Sequence, residues 1–313
     1  VRRQVMSALG EMGSLARSAV PKLIEASKDE SDRIRKTAIE ALGSIAEADT
    51  SIKSQVTPIL INGLKDRSDE VRREAADELG DIGAISSQAI SDLIRRFHDE
   101  EDGVRDAAIE SLGQIGQPAL SELKKASIYG SDDTNRMIVQ VCSQIGLPAV
   151  PLLSEMRKNL SDQIGYEIVD ALGNIGEDDS SAIISIEPIL ITALMSQSDD
   201  IRSNAIEELG DIKASSKDAV LVLSNALLDS DKKVRRKAVE ALGDIGEVSQ
   251  TTVPALTKLL DDDSKGVRLK VVEALGKIGS PTQIVIPALV RMLGDSSDEV
   301  RNRAAEAIKK LSE

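Results

Sequence analysis

The chain has 313 residues, a formal net charge of −14 at neutral pH and aromatic side chains at only 1% of positions. This balance argues against a nucleic-acid groove, which needs a basic and often aromatic surface, and the single cysteine, Cys142, excludes an internal disulfide framework. No apolar run reaches the roughly 18 residues a spanning helix needs, and no signal peptide is visible.

Read from its start, the chain is a series of copies of one thirteen-residue block. Ten copies begin at Val1, Ile34, Val71, Val104, Thr134, Ile164, Ile201, Val234, Val267 and Val300. Residues 71–83 (VRREAADELGDIG), 234–246 (VRRKAVEALGDIG) and 267–279 (VRLKVVEALGKIG) show the block most clearly. Apolar residues fall at its first, fifth, ninth and twelfth places, the spacing of one helix face. Small residues dominate the fifth and eighth places, as at Ala75, Ala238, Ala241 and Ala274. The glycine at the tenth place costs a helix about 1 kcal/mol relative to Ala, so its recurrence predicts close approach of the next helix. The glycine at the thirteenth place predicts the helix stop.

Between blocks runs a second helical pattern. Pro21, Pro58, Pro151, Pro188, Pro254 and Pro287 each lie thirteen residues before the next block, which predicts a first-turn proline in each intervening helix. Length varies in the stretch ahead of the proline, long at 46–57 and 177–187 and short after Gly116 and Gly146. A larger period is visible too. Residues 58–64 (PILINGL) match 188–194 (PILITAL), and 78–82 (ELGDI) recur as 208–212, which predicts duplication of a four-unit block with an offset of 130. A period of 30 to 37 residues is the signature of a stacked solenoid, one body over 1–313.

Two charge patterns ride on the repeat. An Asp stands six residues before the block's Arg in Asp29 and Arg35, Asp66 and Arg72, Asp99 and Arg105, Asp229 and Arg235, Asp262 and Arg268, and Asp295 and Arg301. Acid and base at fixed spacing predict a ladder along the turns. It is interrupted where Tyr129, Asn159 and Ser196 replace the Asp, and Asn135 and Gly165 the Arg. The block's seventh place is acidic in Glu40, Asp77, Glu110, Asp170, Glu207, Glu240, Glu273 and Glu306. The third place, four residues earlier on the same face, predicts the same-helix pairs Lys36–Glu40, Arg73–Asp77 and Arg236–Glu240. Asp106, Tyr166 and Ser203 precede Glu110, Asp170 and Glu207 instead, leaving a locally negative stretch that includes Asp211 and one aromatic, Tyr166.

The pattern Asp-x5-Arg, then Ala-x-x-Ala-Leu-Gly-x-Ile-Gly, covers nearly the whole chain and resembles HEAT repeats, specifically the short subfamily named for phycobilisome lyases. The resemblance implies an all-α, right-handed α-solenoid of about ten helix pairs, with block helices on the concave face and proline-led helices on the convex one. It also implies a protein-binding scaffold, since only a minority of such proteins are enzymes. One HEAT-like enzyme, deoxyhypusine hydroxylase, binds iron through repeated His-Glu pairs, but here His98 is the only histidine. One Cys and one His are too few for the usual zinc sets, no nucleophile or phosphate-loop motif is present, and Cys142 at the ninth place reads as a buried hydrophobe.

The expected function is therefore a non-catalytic, cytoplasmic scaffold without cofactor or metal. Its concave face would meet a basic or polar segment of a protein partner through Tyr166, Asp170, Glu110, Glu207, Asp211, Glu240, Glu273, Arg73 and Asp77. The alternative is a bilin lyase or chaperone acting on phycobiliproteins. The chain opens inside a block and reads as a fragment truncated at its N-terminus; Lys309 and Lys310 read as a polar cap at the other end.

Overall fold

A computed structural model describes residues 1–157, 161–246, 251–280 and 282–312. Two rows of helices alternate along the chain. The blocks form α1 (Arg2–Glu11), α3 (Asp32–Ala48), α5 (Asp69–Asp81), α7 (Asp102–Ile115), α9 (Asp132–Ile145), α11 (Asp162–Asp178), α13 (Asp199–Asp211), α15 (Lys232–Ile245), α17 (Lys265–Ile278) and α19 (Asp298–Ser312). The proline row forms α2 (Val20–Ala26), α4 (Lys53–Gly63), α6 (Ser87–Arg95), α8 (Leu120–Tyr129), α10 (Val150–Met156), α12 (Ile183–Ala193), α14 (Lys217–Ala226), α16 (Val253–Lys258) and α18 (Thr282–Met292). The chain divides into two compact units, Val1–Met156 with α1 to α10 and Arg157–Glu313 with α11 to α19. In each unit a block helix packs on the next block helix and on its proline-row neighbours, the all-α pairwise stacking of a solenoid.

The core is aliphatic. Leu42, Ile45, Leu60, Leu79 and Leu112 in the first unit, and Ile168, Leu172, Leu190, Leu209 and Leu242 in the second, are closed to solvent or nearly so. Thin helix pairs leave little room for rings, and Phe97 is the one large aromatic in the core.

The tenth-place glycines do admit the next helix. A Cβ on Gly210 would sit 3.0 Å from the Ala241 Cα, and one on Gly243 would sit 3.1 Å from the Ala274 Cα. Thirteenth-place glycines stop their helices with positive φ at Gly83, Gly116, Gly146, Gly246 and Gly279. Gly176 departs from this reading. It lies inside α11, which runs on to Asp178.

The proline register needs a correction as well. Pro21, Pro151 and Pro254 open their helices, but Pro58, Pro188 and Pro287 lie inside α4, α12 and α18. The physical reason in the two long versions is a capped turn ahead of the helix. The Asp49 carboxylate accepts the Ser51 N–H, and Asp179 accepts the Ser181 N–H. Each starts a short 3-10 turn that leads straight into helix. The proline then sits close enough to the N-terminus to interrupt few backbone hydrogen bonds.

Candidate binding face

The ladder is built between repeats and not within them. The Arg35 guanidinium donates to both oxygens of Asp66 at 2.7 Å, and Arg72 does the same to Asp99 at 2.9 and 2.7 Å. In the second unit Arg202 takes Asp229, Arg235 takes Asp262 and Arg268 takes Asp295. The expected partner, the Asp six residues back, offers its backbone carbonyl instead, as the Asp66 carbonyl does to Arg72 at 3.0 Å. That carboxylate is turned forward to accept an N–H of its own loop, Asp66 from Ser68 and Asp295 from Ser297. One aspartate therefore caps its loop and receives the arginine of the preceding repeat. Burial alone would raise the Asp99 carboxyl. The Arg72 hydrogen bond, the Glu101 N–H and the charges of Arg72 and Arg96 outweigh it and hold the group below the ordinary carboxylate range.

The interruptions follow from this pairing. Arg105 keeps the Asp99 carbonyl and adds Asp102 of its own helix, because the next rung holds Tyr129. Among the described residues Asn135 donates to the Gly130 carbonyl, at 3.4 Å, and Asn159 lies outside them. Ser196 serves its loop through the Ser198 N–H, and Arg202 still finds Asp229. Arg301, in the last block, holds the Asp295 carbonyl and Asp298.

The block-helix face is also wired across repeats. The expected same-helix pairs Lys36–Glu40, Arg73–Asp77 and Arg236–Glu240 are absent among the described ion pairs. Lys36 pairs with Glu74 of the next repeat at 3.4 Å. Glu207 pairs with Lys237 at 2.5 Å, Glu240 with Lys270 at 2.8 Å and Glu273 with Arg303 at 3.3 Å. These last three each join a seventh-place acid to the fourth-place base of the following block. Close stacking brings that next helix within reach, and a direct interhelical contact competes with the i,i+4 geometry. Burial alone would raise the Glu240 carboxyl, but the Lys270 hydrogen bond and the charges of Lys270, Lys237 and Arg236 hold it below its usual range.

The compensation stops where the fourth place is not basic. The fourth places that follow Asp77, Glu110 and Asp170 are Ala107, Met137 and Asn204, and among the described residues none of these acids has a basic group within salt-bridge distance. Glu110 and Asp106 line a shallow depression with Gln114, Gln140 and Gln144. Asp77 is half-buried; burial raises it and the Arg73 charge offsets part of that effect. Tyr166 is 37% exposed, and its backbone carbonyl accepts from Asn204 Nδ2 at 3.3 Å. Ser203, expected on the exposed face, is buried. Of the acids read as a negative stripe, then, Glu207, Glu240 and Glu273 are neutralised in place, while Glu110, Asp170, Asp77 and Asp211 are not.

Sequence reasoning missed Glu78 and Glu208. They occupy the eighth place, which is Ala in blocks such as those holding Ala41, Ala241 and Ala274, and they are only 7% and 8% exposed. A methyl group on Gly43 would overlap Oε2 of Glu78, and one on Gly173 would overlap Oε2 of Glu208. Around Gly43 stand Glu40 and Glu47, with Asp81 on the helix of Glu78. Around Gly173 stand Asp170 and Glu177, with Asp211 on the helix of Glu208. Every member of the second group lies 130 residues after its counterpart, so each compact unit carries one copy. The available signal was an acid at a place held elsewhere by Ala, Ser or Val.

Stacked helix pairs with an aliphatic core and a charged, largely polar block face define an α-solenoid of the kind used to hold other proteins. The chain belongs to the HEAT-repeat family, whose model (HEAT repeats) matches residues 1–53, 57–141, 186–251 and 221–309. Among solved structures it resembles Kap121p, with a TM-score of 0.66 at 15% identity over 95% of this chain and 38% of that one. A Kap121p mutant gives a TM-score of 0.65 at 15% identity over 95% and 37% of the two chains. An engineered protein aligns over 99% of this chain and 95% of its own at 19% identity and a TM-score of 0.48. This chain thus spans well under half the length of Kap121p, and the likeness concerns the fold alone. A search of curated proteins finds no match to it. Among the described residues no helix is long and apolar enough to cross a membrane.

Proposed function

We propose that this HEAT-repeat chain is a non-catalytic cytoplasmic scaffold whose block-helix face receives a basic segment of a polypeptide partner. The observation behind this reading is the pair of carboxylate groups around Gly43 and Gly173. Glu207, Glu240 and Glu273 are neutralised by the following repeat, while Asp170, Glu177 and Asp211 have no basic group within salt-bridge distance among the described residues. Unpaired charge of one sign on an exposed surface attracts and orients a partner of the other sign. Tyr166, beside Asp170 on α11, offers that partner an amphipathic ring. A lyase-like role toward phycobiliproteins has the repeat spacing behind it and no further observation.

Titration of the full chain with hexalysine tests the proposal. The triple variant Asp170→Lys, Glu177→Lys, Asp211→Lys should bind at least about tenfold more weakly than the parent. Equal affinity in parent and variant would sink the reading.

A further inference from the structure

Several neighbouring block helices are bridged by a basic side chain across the groove between them, and one groove of the first unit is not. Lys36 of α3 reaches Glu74 of α5, and a Cβ on Gly103 of α7 would meet the Arg73 side chain of α5 at 3.6 Å. In the second unit Lys237, Lys270 and Arg303 cross to Glu207, Glu240 and Glu273. On α9 the fourth place is Met137, and Arg136 donates to Asp133 of its own helix. An open depression of about 840 Å³ is left between α7 and α9. Asp106 and Glu110 line it from α7, Gln140, Ser143 and Gln144 line it from α9, and the buried Ile109 lies beneath.

The lining is chemically selective. None of the residues around the depression is basic or aromatic, so it offers an anion no counter-charge and a flat ring no stacking surface. Among the described residues no three His, Cys, Asp or Glu side chains converge closely enough to hold a metal ion. Gln114, on the same wall, is engaged with Asp81 of the preceding repeat. Gln140, Ser143 and Gln144 make no hydrogen bond to another described residue. A carboxamide both donates and accepts, as a peptide unit does, whereas a carboxylate only accepts. The groove therefore pairs a wall that gives and takes hydrogen bonds with two acids that call for a cation. An extended polypeptide with a basic side chain carries both complements. From Asp106 to Gln114 the helix rises about 12 Å, the length of about four extended residues.

We propose that the groove between α7 and α9 seats about four extended residues of the bound polypeptide. Backbone N–H and C=O groups of that segment meet the Gln140 and Gln144 carboxamides, and one lysine or arginine side chain meets Asp106 and Glu110. The proposal rests on the reading that the block-helix face takes a basic segment, and it adds a place where the backbone of that segment is held. Contact with the backbone does not depend on the ligand's sequence, while the two acids select the charge of one side chain.

Calorimetric titration of the full chain with hexalysine, and with hexalysine N-methylated along its backbone, tests this seat. The two ligands carry the same charge, and only the first can donate from its backbone. The parent should bind the methylated ligand about tenfold more weakly, the effect of two lost hydrogen bonds. Gln140→Met with Gln144→Met keeps side-chain length and removes the amides; both positions are exposed, so the fold is kept. In that variant most of the difference between the ligands should vanish, and the cycle cancels any effect of methylation on the free ligand. Equal affinity of the parent for both ligands, or a difference that persists in the Met variant, overturns the backbone seat and leaves the acidic face standing. Asp106→Asn with Glu110→Gln should weaken both ligands alike; unchanged affinity there overturns the assignment of the basic side chain to these two acids. Failure of hexalysine to bind at all overturns both readings.

Discussion

Glu78 and Glu208 show how one side chain at a small-residue place changes the physics of a repeat. Burial, reinforced by Glu74, Asp81, Glu40 and Glu47, pushes the Glu78 carboxyl up to about 9. Burial with Asp170, Asp211, Glu207 and Glu177 pushes Glu208 up to about 8. Because these folded values exceed the ordinary 4.5, the folded chain holds protons that the unfolded chain has lost. Stability conferred by the neutral carboxyls is complete below pH 4.5 and declines as pH rises toward 8 to 9. Glutamine carries no such penalty. Glu78→Gln and Glu208→Gln should each gain about 2–3 kcal/mol at pH 7 and almost nothing at pH 4.5. Urea denaturation at the two pH values measures the difference; a gain independent of pH would refute the burial argument. Cys142 is governed by burial too. Its thiol is pushed up to about 12, as befits a small hydrophobe in the core.

At the scale of the element, the loop-to-helix rung couples neighbouring repeats. Side chains of Arg72 and Asp99 are 8% and 3% exposed, so the bidentate pair sits in low dielectric. Removing one partner strands a buried charge. Arg72→Ala should therefore cost about 3 kcal/mol, whereas Arg105→Ala, which loses the Asp99 carbonyl and an ion pair with the exposed Asp102, should cost about 1 kcal/mol. Thermal or urea melts of the two variants decide it, and equal losses would show that the rung carries no special weight. The same elements show where the repeat tolerates strain. Lys213, at the thirteenth place where Gly83 stands 130 residues earlier, adopts φ of 51° and is the one non-glycine residue with positive φ among those described. The turn's geometry is retained while the residue that suits it best has been replaced.

For the molecule, a net charge of −14 is a statement about partners more than about fold. Part of the acid on the block face is consumed by the bases of the following repeat, and part of what remains is gathered into one group per compact unit. Long-range attraction should therefore govern the encounter with a cationic ligand. The association rate of hexalysine should fall by roughly tenfold or more between low salt and 0.15 M, with dissociation changing far less. Stopped-flow mixing at several salt concentrations reads both rates; an on-rate indifferent to salt would mean that the charge plays no part in recognition.

The sequence by itself determined the repeat. Ten blocks, their helical period, the tenth-place glycines and the offset of 130 were all legible, because each follows from local periodicity and from backbone rules that act within a few residues. The ladder residues were legible as a set too, but their partners were not. Pairing by sequence proximity joined Asp66 to Arg72 and Lys36 to Glu40, whereas stacking brought Arg35 to Asp66 and Lys36 to Glu74. An ion pair forms where charged ends meet in space, and stacked helices place residues some thirty positions apart closer than their own neighbours. Burial of Glu78 and Glu208 was decided in the same way. Whether an acid at the eighth place faces water depends on how closely the preceding helix approaches, and Gly43 and Gly173 let it come near enough to close over the carboxyl.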